Sequence, residues 1–165
     1  MKSRYNLYKG PVLSAAKRAL ETGNADYILI WIPEESENTL KNLLEKVCCE
    51  INIHKNACDD IVDWYFNTVN RLHTVYCGPH NLNLSTKAHA EKKIIYLAER
   101  ACKSGNYQDI TSVIQDTPDG EMRQRFNDVI KKRNYRAENI AAGRVYVSAF
   151  TDFIVFVKNQ CAGSL

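Results

Sequence analysis

Apolar positions recur along this chain at spacings of three and four, the period of an amphipathic helix. Val12, Leu13, Ala16, Ala19 and Leu20 form the first stripe, opened by Gly10-Pro11 and stopped by Gly23, with Lys17 and Arg18 near the negative end of its dipole. Ala25 to Ile32 is a short apolar segment whose composition suits a strand or a short helix equally. Pro33-Glu34-Glu35-Ser36-Glu37 starts a second long helix, with acidic residues at its positive end and Leu40, Leu43, Leu44 and Val47 on one face. A break at 52–56 precedes a third helix from about Ala57 to His73, in which Val62, Tyr65, Phe66 and Val69 share a face.

From Thr74 to Leu84 the period is lost, and Cys77-Gly78-Pro79-His80-Asn81 carries turn chemistry. A fourth helix, capped by Ser85 or Thr86, runs to Ser104. A short one covers Tyr107 to Gln115, another ends near Lys131-Lys132-Arg133, and the last spans about Ala137 to Lys158. The last turns strongly apolar at Phe150, Phe153, Ile154, Val155, Phe156 and Val157, as a core helix or one that meets a partner does.

The pattern repeats. Ala19-Leu20-Glu21-Thr22-Gly23-Asn24 has its counterpart in Ala101-Cys102-Lys103-Ser104-Gly105-Asn106. Without a gap, Arg18 then meets Arg100, Ile28 meets Ile110, Leu40 meets Met122, Leu44 meets Phe126, Val47 meets Val129, Trp64 meets Tyr146 and Leu72 meets Ile154. The expectation is an all-α helical bundle, one domain over 1–165. Two similar multi-helix repeats, about 10–73 and 92–155, flank a linker at about 74–85 and are related by a pseudo-twofold axis. A small-ligand cavity between the repeats goes with that arrangement.

At 165 residues the chain can bury a core without a metal or disulfide staple. A net charge of +3 argues against nucleic acid as a partner. No unbroken apolar run reaches the roughly 20 residues of a membrane span, and no apolar signal core follows Met1-Lys2-Ser3-Arg4. A cytoplasmic location is therefore expected, with no membrane partner. The six cysteines then read as free structural thiols.

Candidate chemistry is sparse. His73 lies on an apolar face and reads either as a ligand or proton carrier or as a satisfied core residue. Cys48, Cys49, His54 and Cys58 offer zinc-ligand types, but adjacent cysteines on a helix point about 100° apart. Asp59, Asp60 and Asp63 suit a general base or simply an acidic helix start. Lys131 to Arg136, with Arg123 and Arg125 before it, suits phosphate, RNA or a helix C-terminus. No phosphate loop, dinucleotide glycine motif or nucleophile elbow is present, so no cofactor, catalytic residue or metal ligand set is assigned.

Gly10-Pro11-Val12, Ala19 to Asn24, Tyr27 to Trp31 with Pro33, Trp64-Tyr65-Phe66 with Arg71-Leu72-His73, and Ala142 to Val147 together resemble a family of small uncharacterised prokaryotic helical proteins. Members open with His-Cys-Asp before the Gly-Pro and carry histidine at the position of His73 and again in the last long helix. The resemblance implies a helical fold and, through those residue types, a metal site inside the bundle. Here the opening falls on Arg4, Tyr5 and Asn6, and the later histidine positions on Tyr135 and Val155, so only His73 matches. What the resemblance then implies is a pocket for an anion or small organic molecule, with Arg4, Tyr5, Asn6, His73 and Tyr135 around it. The leading expectation is a non-enzymatic binding or interaction protein, with a homodimer through the last helix. The alternatives are a metal-binding protein with an altered site centred on His73, and a hydrolase-type enzyme using His73 with the acidic residues.

Overall fold

The structure, a computed structural model, describes residues 10–53, 59–77, 89–111 and 119–162. Every regular element among them is helical, and the chain divides into two compact units, Met1–Leu82 and Asn83–Leu165.

In the first unit, α1 (Pro11–Thr22) leads through α2 (Asp26–Leu29) and a 3-10 turn (Glu34–Ser36) into α3 (Glu37–Ile53) and α4 (Asp59–Cys77). The ambiguous apolar segment is thus a single helical turn, closed by a bond from the Trp31 amide to the Ile28 carbonyl. Ile28, Leu29, Ile30, Trp31 and Ile32 are all buried, because the segment plugs the unit rather than presenting an alternating face. Helix α1 packs on α3 and α4 through Val12, Ala16 and Ala19, whose small side chains allow a close approach. The Tyr65 hydroxyl donates to the Ala16 carbonyl at 3.1 Å and pins α4 to α1.

In the second unit, α5 (His89–Ser104), the short α6 (Gln108–Thr111), α7 (Asp119–Lys132) and α8 (Ile140–Ala162) follow, and α8 packs on both α5 and α7. Asn139 caps α8, its Oδ1 accepting from the Ala142 amide at 3.0 Å. Over Ile140–Gln160, α8 is long and apolar enough to cross a membrane by length and composition, with a mean hydropathy of 1.6. Counting unbroken apolar residues misses this, since Ser148, Thr151 and Asp152 interrupt the run. Its Val147, Phe150, Phe153, Ile154 and Val157 are buried, against α5 and α7 of their own unit.

The end of α1 and the end of α5 are built alike. Gly23 and Gly105 adopt left-handed φ values of 69° and 79°. The Thr22 and Ser104 hydroxyls accept from the amides of Asn24 and Asn106, at 3.3 and 3.1 Å. Asn24 and Asn106 in turn accept through Oδ1 from the amides two residues on, at 2.9 and 3.1 Å, starting α2 and α6. Arg18 lies 4.2 Å from the Tyr27 ring centre, and Arg100 pairs with Asp109 at 3.0 Å, at the same two positions of each unit. Ala16, Ala19, Ile28, Leu40, Leu44 and Val47 are buried, and so are Ala98, Ala101, Ile110, Met122, Phe126 and Val129, all 82 positions later.

The gapless register fails in the last helix of each unit. There the burial pattern agrees at 81: Val62, Phe66, Val69 and His73 fall on Gly143, Val147, Phe150 and Ile154, all buried. At that offset Trp64 falls on Val145, where the gapless register sets it against Tyr146. Burial thus agrees at 82 as far as Val47 and Val129 and at 81 from Val62 and Gly143 onward.

The two caps differ in one load. Arg133 lies over Gly105, where an added Cβ would stand 2.9 Å from Nη1, while nothing lies within 4 Å of such a Cβ at Gly23. Gly23→Ala is expected to cost about 1 kcal/mol from the left-handed backbone alone. Gly105→Ala should cost measurably more in urea unfolding, because the guanidinium must also move. Equal losses would show that the Arg133 seat contributes nothing to the cap.

Candidate functional site

His73 is 2% exposed on α4. Its Nδ1 lies 2.8 Å from the Trp31 carbonyl, which can only accept, so Nδ1 carries the proton. Its ring meets the Trp31 ring edge-on, with centres 6.0 Å apart. Burial pushes the His73 pKa down, partly opposed by the Trp31 hydrogen bond, and keeps the imidazole neutral near pH 7. This histidine ties α4 to the segment after α2. The acidic cluster does not join it: at 1.5 Å per residue, Asp63 is about 15 Å away along the same helix. Asp60 is exposed, so the hydrolase arrangement has no shared site on α4.

Of the other expected ligand-binding residues, Arg4, Tyr5 and Asn6 lie outside the described residues. Tyr135 belongs to the second unit, where its ring lies 5.3 Å from that of Tyr146. Of the thiols, Cys48 faces the Leu20 carbonyl at 3.8 Å and Cys49 is exposed, so the adjacent pair diverges. His54 and Cys58 lie outside the described residues. Among the described residues, no group of three or more His, Cys, Asp or Glu is placed to hold a metal ion.

The basic run ends α7 with internal partners. Lys132 pairs with Asp128 at 2.6 Å, Arg133 donates to the Cys102 carbonyl at 3.4 Å, and Arg136 pairs with Glu138. These contacts favour a helix C-terminus over a phosphate site. Gly120, Arg123, Gln124, Asn127, Asp128 and Lys131 line an open depression of about 390 Å³ along α7. Among the described residues, the lining all comes from α7.

Two features were not anticipated. In the second unit, Glu99 of α5 is a half-buried residue whose Oε1 is buried with no hydrogen-bond partner among the described residues. Burial pushes its carboxyl up to about 7, with Lys103 opposing. Around it, burial lifts Cys102 and Tyr146 to about 12, and Arg133 acts on both in the opposite direction. The signal for Glu99 was present: Ile95 four residues before and Cys102 three residues after are both buried, which puts the carboxyl on the edge of the apolar face.

The other feature is an exposed stripe on α4. Asp60, Trp64, Asn67, Arg71 and Val75 follow one another at helical spacing, and all are exposed. Trp64 is 55% and Val75 75% accessible, and Tyr76 next to Val75 is 46% accessible. At the offset of 81, the corresponding face of α8 is Ala141, Val145, Ser148, Asp152 and Phe156, with Val145 51% exposed. Ala141, Ser148 and Asp152 are exposed as well, while Phe156 is half-buried. Where the second unit has Val145, the first places an indole.

Residues 9–156 match the model of a family of unknown function, DUF6448, so the chain belongs to that family. No curated protein and no solved structure matches it.

Proposed function

We propose that this DUF6448 member is a non-enzymatic interaction protein made from two copies of one helical module, with the outer face of α4 as its contact surface. The exposed stripe carries the reading. A tryptophan is left more than half accessible on the helix face that also carries Val75 about three turns further on, and tryptophan is among the side chains most enriched at the energetic centres of interfaces. The duplication is supported by the matching caps, the two glycines at left-handed φ and the coincident burial at offsets of 82 and 81.

The chemistry of the other candidates points the same way. His73 spends its Nδ1 proton on a backbone carbonyl, and Lys132, Arg133 and Arg136 are engaged by Asp128, the Cys102 carbonyl and Glu138.

A photoreactive phenylalanine analogue installed at position 64 of the full chain tests this in cells. The expected result is a discrete covalent adduct from position 64 and none from the exposed position Asn38 on α3. No adduct from position 64, or the same products from both positions, would overturn the reading.

A further inference from the structure

We propose that the occupant of the α4 face is a second copy of this chain, docked antiparallel, with Asp60 opposite Arg71 of the partner subunit and the two Trp64 indoles packed at the twofold axis. The inference rests on the reading of α4 as the contact surface and adds the identity of the partner.

An isologous interface uses one patch against itself, so every group on it must meet a group it tolerates. Asp60 and Arg71 stand eleven residues apart on the exposed stripe, about 16 Å along the axis. Trp64 and Asn67 lie between them. Reversing a second helix about the midpoint between Tyr65 and Phe66 brings each carboxylate against the opposite guanidinium. The same operation sets Trp64 against Asn67 of the partner subunit, and the two indoles fall within about 5 Å of each other along the axis. A parallel arrangement would set Asp60 on Asp60 and Arg71 on Arg71, which like charges disfavour.

The α8 face does not offer this match. Its only charged member is Asp152, which the offset of 81 places where α4 has Arg71, and the position of Asp60 is held by Ala141. Reversal of α8 onto itself would therefore form no ion pair. Of the two outward faces, the one on α4 alone is self-complementary in charge and carries an indole.

Size sets the strength. One pair of helices buries less than the roughly 1,200–2,000 Å² of a stable interface. The dimer is accordingly reversible, concentration-dependent and weakened by salt, since its ion pairs lie at an exposed rim.

Sedimentation equilibrium of the full chain from micromolar to millimolar tests the proposal. The expected result is a mass that climbs from monomer towards dimer at low salt. Trp64 should lose accessibility to acrylamide as the mass rises. Arg71→Glu and Trp64→Ala, both at exposed positions, should each raise the dissociation constant at least about tenfold, a change of 1.4 kcal/mol. The double variant Asp60→Arg with Arg71→Glu should recover dimerisation, because it restores opposite charges in the reversed helix. Circular dichroism of each variant should match the parent. A chain that stays monomeric to millimolar concentration overturns the proposal. So does a dimer indifferent to Arg71→Glu, or a charge-swapped double variant no better than Arg71→Glu alone. A monomeric chain whose position 64 still crosslinks to a different protein in cells would remove this inference and leave the contact surface standing.

Discussion

Replacing His73 with alanine is expected to destabilise the protein by roughly 3 kcal/mol in urea unfolding at pH 7.5. The loss combines the cavity left by a fully buried ring with the hydrogen bond withdrawn from the Trp31 carbonyl. A histidine held in place for a metal or a substrate would behave differently, since truncating such a group commonly leaves stability unchanged or improves it. The pH dependence has a definite sign. Folding lowers the His73 pKa below its ordinary 6.5, so the folded chain resists protonation. The stability this group contributes is complete above about pH 6.5 and is lost as pH falls below it. The alanine variant should lack that acid-side decline. An unfolding free energy within 0.5 kcal/mol of the parent's, roughly the spread of neutral surface substitutions, would contradict the core role assigned to His73.

Glu99→Gln should act in the opposite sense and on the other side of neutrality. The Glu99 carboxyl rises from 4.5 in the unfolded chain to about 7 in the folded one, chiefly because burial penalises its charge. The folded state therefore holds the proton more tightly. The benefit is full below pH 4.5 and disappears as pH rises through 7, where the charged carboxylate sits beside Cys102 and Tyr146 with Lys103 in partial compensation. At pH 8 the glutamine variant should be more stable than the parent, on the order of 2 kcal/mol after allowing for solvent reaching a half-buried residue. Near pH 4.5 the two should converge. Thermal unfolding across this range reads the effect, and parallel profiles for parent and variant would show that Glu99 titrates normally.

Much of the architecture was legible because its signals are local. Gly23 and Gly105 each end a helix where only a residue without Cβ adopts a left-handed φ cheaply. The stripes of α1, α3 and α7 follow the 3.6-residue period. The burial register of the last helix was not legible, because a gapless slide along the chain holds one offset, whereas burial agrees at 82 up to Val47 and Val129 and at 81 from Val62 and Gly143. Matching Trp64 to Tyr146 hid the fact that Trp64 and Val145 share an exposed position.

The candidate site was less legible still, for two different reasons. His73 was singled out by residue type, yet its role depends on the Trp31 carbonyl, forty-two residues away in the chain. Glu99 went unnoticed between Ala98 and Arg100, since a glutamate on a long helix ordinarily reads as a solvated charge. Its partial burial follows from the packing of α5 on α7 and α8, which no local pattern encodes. Trp64 was read as part of the Trp64-Tyr65-Phe66 signature. On α4, however, Tyr65 and Phe66 turn into the core while Trp64 turns out.

The proposal that one module was used twice is addressed directly by backbone torsion angles from solution NMR of the full chain. The account predicts that the torsion pattern of 11–29 recurs over 93–111, that of 37–50 over 119–132, and that of 59–77 over 140–158. Gly23 and Gly105 should share a positive φ. Helix ends or torsions that disagree between these segments, at 82 for the first two and 81 for the last, would contradict it.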